Sequence, residues 1–295
     1  MILAAGAEVG FVGTGVMGAS MAGHLMDAGF RLAVHNRTRA KAESLIARGA
    51  RWAETAGDAA RDADAVVTIV GYPKDVEHLY LGSGGIVESA KEGAYLVDMT
   101  TSSPALATRI AGAASARGLH ALDAPVSGGD VGAREARLTI MVGGDEDAFH
   151  AAEPMLRVMG ANVVLQGGAG AGQHTKMCNQ IAIASTMVGV VEALTYAKAA
   201  GLDPKLVLES ISAGAAGSWT LSNLAPRMLA GDTAPGFFVK HFIKDMWIAI
   251  SSADEMGLEL PGLRLAKHLY DQLAEAGYGD AGTQSLIELY GGVDA

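Results

Sequence analysis

The sequence predicts an α/β fold: a doubly wound, mostly parallel sheet in the N-terminal half, followed by an all-α C-terminal half. Three observations carry this. Short β-branched runs alternate with alanine-rich helical stretches up to about residue 165, a glycine-rich segment follows at 167–172, and from Gln173 onward the β-branched runs largely vanish. With 295 residues, and about 150 per domain as a guide, two domains are expected, 1–166 and 167–295.

The apolar runs predict strands over 9–12, 32–35, 65–70, 95–98, 119–123, 138–142 and 162–165. Amphipathic segments at 18–28 and 39–48 read as the helices between them, giving βαβ units around a buried parallel sheet. Gly29 is placed to stop the first helix directly before the second strand. In the C-terminal half, helices are expected over 173–200, 204–212, 219–230, 240–256, 261–275 and 281–290. Gly201 is placed to end the first of these, and Pro204 can open the next in its first turn.

Composition excludes several classes. Apolar residues make up 50% of the chain and charged residues 18%, the balance of a folded globular protein. The single cysteine, Cys178, rules out a disulfide framework and a cysteine-built zinc site, and the eight histidines show no ligand spacing, so no metal is expected. A net charge of −10 without a basic run argues against nucleic acid or an anionic membrane as partner. No charge-free apolar run approaches the roughly 18 residues of a membrane span. Residues 1–8 lack a basic n-region and carry too short an apolar run for a signal peptide. The expectation is a cytoplasmic protein that handles a small molecule.

The first strand leads into Gly13-Thr14-Gly15-Val16-Met17-Gly18 and then a helix. In this setting the first glycine permits the tight turn, the second lets a pyrophosphate approach the backbone, and the third brings helix and sheet together. The helix N-terminus adds free N–H groups and a partial positive charge. A βα turn with no ligand would carry the same glycines. After the second strand, where an NAD site places an acidic residue on the ribose, stand Asn36, Arg37 and Thr38. An amide, a guanidinium and a hydroxyl suit a 2′-phosphate that a carboxylate would repel, so NADP is favoured over NAD. The competing reading makes Arg37 a solvated loop residue.

Two further segments carry chemistry. Asp123-Ala124-Pro125-Val126-Ser127-Gly128-Gly129 ends a strand with a serine and two glycines, whose N–H groups and hydroxyl can cradle a carboxylate. A plain glycine turn would look the same. Downstream, Lys176 and Asn179 stand three apart on one helical face, and Lys176 sits among Ala, Met, Cys and Ile rather than in a charged stripe. A buried ammonium is costly without a task, and proton donation to a carbonyl is such a task. The alternative is a lysine snorkelling to the surface. A third segment, Gly236-Phe237-Phe238 followed by Lys244-Asp245, reads unaided as a solvated helix face.

Taken together, the chain resembles the β-hydroxyacid dehydrogenases, a group that includes 3-hydroxyisobutyrate dehydrogenase, tartronate semialdehyde reductase and glyoxylate/succinic semialdehyde reductase. The resemblance runs from Glu8 to about Tyr290 in six segments in order: GFVGTGVMG, DMTTSSP, DAPVSGG, MVGGD, GAGQHTKMCNQ and PGFFVKHFIKD. It implies a Rossmann domain joined by a long interdomain helix to an all-α domain that also builds the interface of a homodimer or homotetramer. It implies Lys176 as the catalytic lysine with Asn179 beside it, and Ser127, Gly128 and Gly129 on the carboxylate of a small-molecule substrate. Thr101, Lys244 and Asp245 belong with the cofactor, and Trp219 and Phe237 with the substrate end. The cofactor loop after the third expected strand departs from the usual Leu-Pro or Met-Pro, reading Val70-Gly71-Tyr72-Pro73. The implied reaction is reversible hydride transfer between nicotinamide and a short semialdehyde or 2-oxoacid. Imine reduction on the same architecture, and a non-catalytic NADP-binding sensor or scaffold, are the alternatives; Lys176 argues against both.

Overall fold

The computed structural model describes residues 2–292; Met1 and residues 293–295, the outer ends of the two expected domains, lie outside them. The chain divides into two compact units, Met1–Lys176 and Met177–Ala295. The division falls ten residues beyond the expected 166, because hydrogen bonds from Gly170 and Gln173 tie the start of the long helix to the first unit.

In the first unit the strands are β1 (Glu8–Val12), β2 (Arg31–His35), β3 (Arg51–Trp52), β4 (Ala65–Thr68), β5 (Tyr95–Asp98), β6 (His120–Asp123), β7 (Val126–Ser127), β8 (Leu138–Gly144) and β9 (Gly160–Gly167). They form one sheet in the order β3-β2-β1-β4-β5-β6-β8-β7, with β9 on β8. The six strands from β3 to β6 are parallel; β8 runs antiparallel to β6 and β7, and β9 is parallel to β8. Two strands, β3 and β7, were not expected from the sequence. At two residues each they are too short for a period-two signal.

The helices of this unit are α1 (Gly18–Asp27), α2 (Glu43–Ala47), α3 (Ala56–Ala60), α4 (Pro73–Leu81), α5 (Ile86–Ser89), α6 (Pro104–Ser115), α7 (Gly129–Arg134) and α8 (Glu146–Arg157). The helix expected over 39–48 is a 3-10 turn, Arg39–Ala42, followed by the short α2. Alternation along the central strands divides the apolar side chains between two faces. Val9, Phe11, Ala65, Val67, Tyr95 and Val97 join one core with Met21 and Leu25 of α1 and Met155 of α8. Val12, Val66 and Leu96 join the other with Val76 and Tyr80 of α4 and Leu106 and Ile110 of α6. Side chains of Ser103 and Asp145 cap α6 and α8 at Leu106 and Ala148.

The long helix α9 (Ala171–Ala199) is followed in the second unit by α10 (Pro204–Ser212), α11 (Trp219–Asn223), α12 (Ala225–Leu229), α13 (Val239–Glu255) and α14 (Pro261–Leu273). The single helix expected over 219–230 is broken at Leu224, where Pro226 lacks the N–H that a continuous helix requires. The last segment, Thr283–Tyr290, is a 3-10 helix. Met187, Val191 and Leu194 of α9 pack with Phe242 and Met246 of α13 and Tyr270 of α14, and Phe242 meets Tyr270 edge-on at 5.0 Å. The α9 helix has the length and mean hydropathy (1.4 in its most apolar window) of a membrane span, which the expectation from charge-free runs did not register. That apolarity serves in part to build the core of the second unit.

The C-terminal ends of β4, β5 and β6 place Thr68, Asp98 and Asp123 side by side, since Thr68 pairs with Asp98 and Asp98 with Asp123. Asp98 accepts from Thr68 Oγ1 (2.8 Å) and the Thr100 N–H (3.1 Å), and Tyr80 Oη lies 2.9 Å from Thr68 Oγ1. Burial pushes the Asp98 carboxyl up to about 6; the hydrogen bonds from Thr100 and Thr68 hold it down in part, and the Asp123 charge adds to the rise. Because the folded value exceeds the unfolded one, stability from the protonated group is complete below about pH 4 and is lost as pH rises through about 6. Asp98→Asn keeps the acceptor and removes the charge. The variant-minus-parent unfolding free energy, measured by urea titration, is expected to grow by about 2–3 kcal/mol from pH 4 to pH 7.5.

Candidate functional site

In the first unit the phosphate loop follows β1. Gly13 has φ +101°, and a Cβ there would lie 2.1 Å from the Ile69 carbonyl oxygen; one at Gly18 would lie 1.9 Å from the Gly13 carbonyl oxygen. The fold itself therefore demands these two glycines. At Gly15 φ is not positive, and a Cβ would meet nothing within 4 Å. The second glycine of the motif is thus not required by packing; it leaves open backbone at the N-terminus of α1. Thr14, beside it, is 2% exposed with no hydrogen-bond partner for its hydroxyl. Open backbone, an unpaired hydroxyl and a helix N-terminus fit the pyrophosphate of a dinucleotide. Val16 is exposed and Met17 partly buried at the same helix start.

Asn36 does structural work the sequence did not reveal. Its Oδ1 accepts from the Thr14 N–H (3.1 Å) and its Nδ2 donates to the Thr38 carbonyl (2.9 Å), tying the end of β2 to the phosphate loop. Arg37 and Thr38 are exposed on the same turn. Val70 and Gly71, partly buried after β4, are held from below, because the Val70 N–H donates to Thr100 Oγ1 at 3.0 Å. Thr101 is partly buried on the loop after β5.

Ser127 ends β7, and Gly128 and Gly129 take φ of +126° and +64° as the chain turns into α7. On α9, Lys176 is 6% exposed. Its place is set by Asp123, whose Oδ1 accepts from the Gly170 N–H (2.7 Å) and whose Oδ2 accepts from the Gln173 N–H (2.8 Å). A helix whose first N–H groups meet a buried carboxylate is capped from outside its own sequence. Burial pushes the Asp123 carboxyl up, and the backbone N–H groups of Gly170, Gln173 and Gly172 oppose that rise. Close approach here needs two more glycines: a Cβ at Gly143 would lie 2.5 Å from Asp123 Oδ1, and one at Gly172 would lie 2.4 Å from the Met141 carbonyl oxygen.

The second unit holds a chain of polar side chains. Asn179 Nδ2 donates to Gln180 Oε1 (2.8 Å), Gln180 Nε2 donates to Asp245 Oδ2 (2.6 Å), and Lys244 Nζ lies 3.0 Å from Asp245 Oδ1. Gln180 and Asp245 are 1% exposed, so the Lys244-Asp245 pair is no solvated face. Burial holds the nearby His241 below the usual imidazole range, with the Lys244 and Lys240 charges adding to the effect. Phe237 packs on the core at 5.7 Å from Phe242, and Trp219 opens α11 with 67% of its surface exposed.

Asp98, Asp123, Gln173 and Gln180 were given no role from sequence, although all four stand in the segments quoted above. A carboxylate that follows apolar residues at the end of a strand, as in Leu-Val-Asp98 and Ala-Leu-Asp123, is the signal that finds the first two.

Residues 8–168 match the family model described as the NAD binding domain of 6-phosphogluconate dehydrogenase. Residues 170–290 match the one described as NAD-binding of NADP-dependent 3-hydroxyisobutyrate dehydrogenase. The chain is 59% identical over 282 residues to the uncharacterized oxidoreductase YkwC of Bacillus subtilis, covering 96% of this chain and 98% of that one. It is 50% identical over 281 residues to the probable mitochondrial 3-hydroxyisobutyrate dehydrogenase-like 1 of Arabidopsis thaliana, covering 95% and 84%. Among solved structures, the Mycobacterium tuberculosis 3-hydroxyisobutyrate dehydrogenase with L-serine superposes with a TM-score of 0.89 at 28% identity, over 96% of this chain and 99% of that one. An imine reductase from Pseudomonas sp. is similar at 20% identity and a TM-score of 0.63, over 96% and 99%, a likeness of fold alone.

The glycine geometry separates packing from ligand approach. Gly13→Ala is expected to lower stability by about 2 kcal/mol or more, through a positive φ and a collision with backbone. Gly15→Ala is expected to melt within about 2 °C of the parent and to lose most of whatever stabilisation added NADH or NADPH gives the parent. Thermal melts with and without the dinucleotide check both.

Proposed function

Since the chain belongs to the β-hydroxyacid dehydrogenase family, we propose that it is an NADP-preferring enzyme interconverting a short hydroxyacid and its semialdehyde or 2-oxoacid, with Lys176 as general acid and base. The observation that carries this reading is Lys176 itself: a lysine 6% exposed, in the second turn of a helix capped by Asp123 at the carboxyl edge of a parallel sheet. That edge is where open α/β sheets bind ligands.

A bound dinucleotide would supply the hydride for reduction of the substrate's aldehyde or keto carbon and would accept it in the reverse direction. The open backbone at Gly15 and the N-terminus of α1 hold its pyrophosphate, with the Thr14 hydroxyl at hand. Arg37 supplies the positive charge for a 2′-phosphate, since the Asn36 amide is engaged with Thr14 and Thr38. Lys176 holds the proton that passes to the carbonyl oxygen on reduction and takes it back on oxidation. The Ser127 hydroxyl and the N–H groups of Gly128 and Gly129 hold the substrate carboxylate. Asn179, one turn beyond Lys176, orients the same substrate and is itself oriented by Gln180.

The test follows NADPH absorbance with glyoxylate, succinic semialdehyde, tartronate semialdehyde and methylmalonate semialdehyde, and reads the reverse reaction with 3-hydroxyisobutyrate and L-serine. Lys176→Ala is expected to cut turnover by about 10²–10⁴-fold. Arg37→Ala is expected to raise the KM for NADPH about tenfold or more while leaving that for NADH unchanged. Tight dinucleotide binding without turnover on any acid would remove the reading.

The same reading includes a homo-oligomer built through the second unit, where Tyr196, Leu206, Trp247 and Leu265 are all more than half exposed. Light scattering is expected to give a multiple of the 30.2 kDa chain mass, and a monomer counts against it.

A further inference from the structure

Gln173 stands in the first turn of α9 and is completely buried. Its side-chain Oε1 accepts from the Ser102 N–H at 2.9 Å, and its Nε2 donates to the Thr100 carbonyl at 2.7 Å. Its own backbone N–H donates to Asp123 Oδ2. One residue is therefore pinned twice, by its backbone to the end of β6 and by its side chain to the loop after β5. The two backbone groups it grips flank Thr101, and Thr100 in turn accepts from the Val70 N–H through its hydroxyl. The Gln173 amide thus holds the loop on either side of Thr101 directly, and the Val70 loop through Thr100.

We propose that Gln173 is a positioning residue, a two-pronged clamp that fixes the Thr100–Ser102 segment in register with Lys176. The inference rests on the reading of Lys176 as proton donor and of this loop as part of the cofactor site. The chemistry selects glutamine. The loop presents one acceptor and one donor two residues apart, and a primary amide offers the complementary donor and acceptor in one plane. Leucine leaves both backbone groups unpaired in a water-free interior, and asparagine is one methylene short. An ionised glutamate accepts only, so it keeps Ser102 and repels the Thr100 carbonyl. A protonated glutamate donates through its O–H and restores both bonds. Lys176 lies three residues on, one turn and about 4.5 Å along the same helix, so a shift at the clamp is passed to it directly.

Gln173→Leu and Gln173→Glu test this by two independent readouts. Amide hydrogen exchange on the intact chain is expected to show the Ser102 N–H opening at least tenfold faster in Gln173→Leu, with β1 amides unchanged as a control for folding. Turnover of the best acid in the panel above is expected to fall tenfold to hundredfold in kcat, with its KM changing less than threefold. In Gln173→Glu, kcat is expected to recover toward the parent as pH falls from 8 to 5. Asp123 on β6 and Asp98 on β5 favour the protonated carboxyl there, and Lys176 on α9 opposes it. A purely structural role would speed exchange at the β1 amides as much as at Ser102 and leave kcat per folded molecule unchanged, and that result overturns the proposal. So does a Ser102 amide as protected in Gln173→Leu as in the parent. Should the parent reduce none of the acids, the proposed activity fails while the exchange measurement still decides the clamp.

Discussion

The Asp123 carboxylate is the constraint on which the first unit's functional edge depends. A carboxylate taken out of water must be satisfied by donors, and here the donors are N–H groups just before α9 and in its first turn, which lack partners within the helix. Each side resolves the other's deficit. The price is close approach, visible at Gly143 and Gly172, where any side chain would collide with Asp123 or with backbone. Once strand and helix meet in this way, the position of Lys176, in the second turn of α9, follows.

The rest of the sheet is built on weaker requirements. Its central strands need only apolar residues alternating between two faces, and many sequences meet that. The carboxyl edge differs in kind. Thr68, Asp98 and Asp123 form a row of polar groups across three adjacent parallel strands; Thr68 donates to Asp98, and the two carboxylates engage the loops at Thr100 and Gly170. Tyr80, Thr100 and Gln173 complete that network from a helix, a loop and the start of α9. Loops held by buried hydrogen bonds have defined positions, and defined positions are what hydride and proton transfer require.

Some of this was legible along the chain. The glycine motif, the strand runs and the helical second half have local signals, because turn geometry and hydrophobic period are properties of neighbouring residues. The breaks were less legible: Pro226 divides a helix that periodicity joins, and 39–48 is part 3-10. Asn36 shows the deeper limit. Its position suggested a ligand contact but not that its amide ties Thr14 to Thr38, and the partner 22 residues away is brought to it only by the pairing of β1 with β2. Lys244 and Asp245 read alone as a solvated face, and Gln180, 65 residues earlier than Asp245, makes them part of a buried chain.

The sequence by itself determined the fold class, the dinucleotide loop and the family, since each is written in short-range patterns that survive without coordinates. The tertiary structure alone decided what the polar residues of those patterns do. Whether packing requires a glycine depends on what its absent side chain would strike, as Gly13 and Gly15 show. Whether a carboxylate reacts or holds a helix depends on which distant N–H groups reach it, as at Asp123. Both are distances between segments far apart in the chain, and they come into being only when the sheet closes its register.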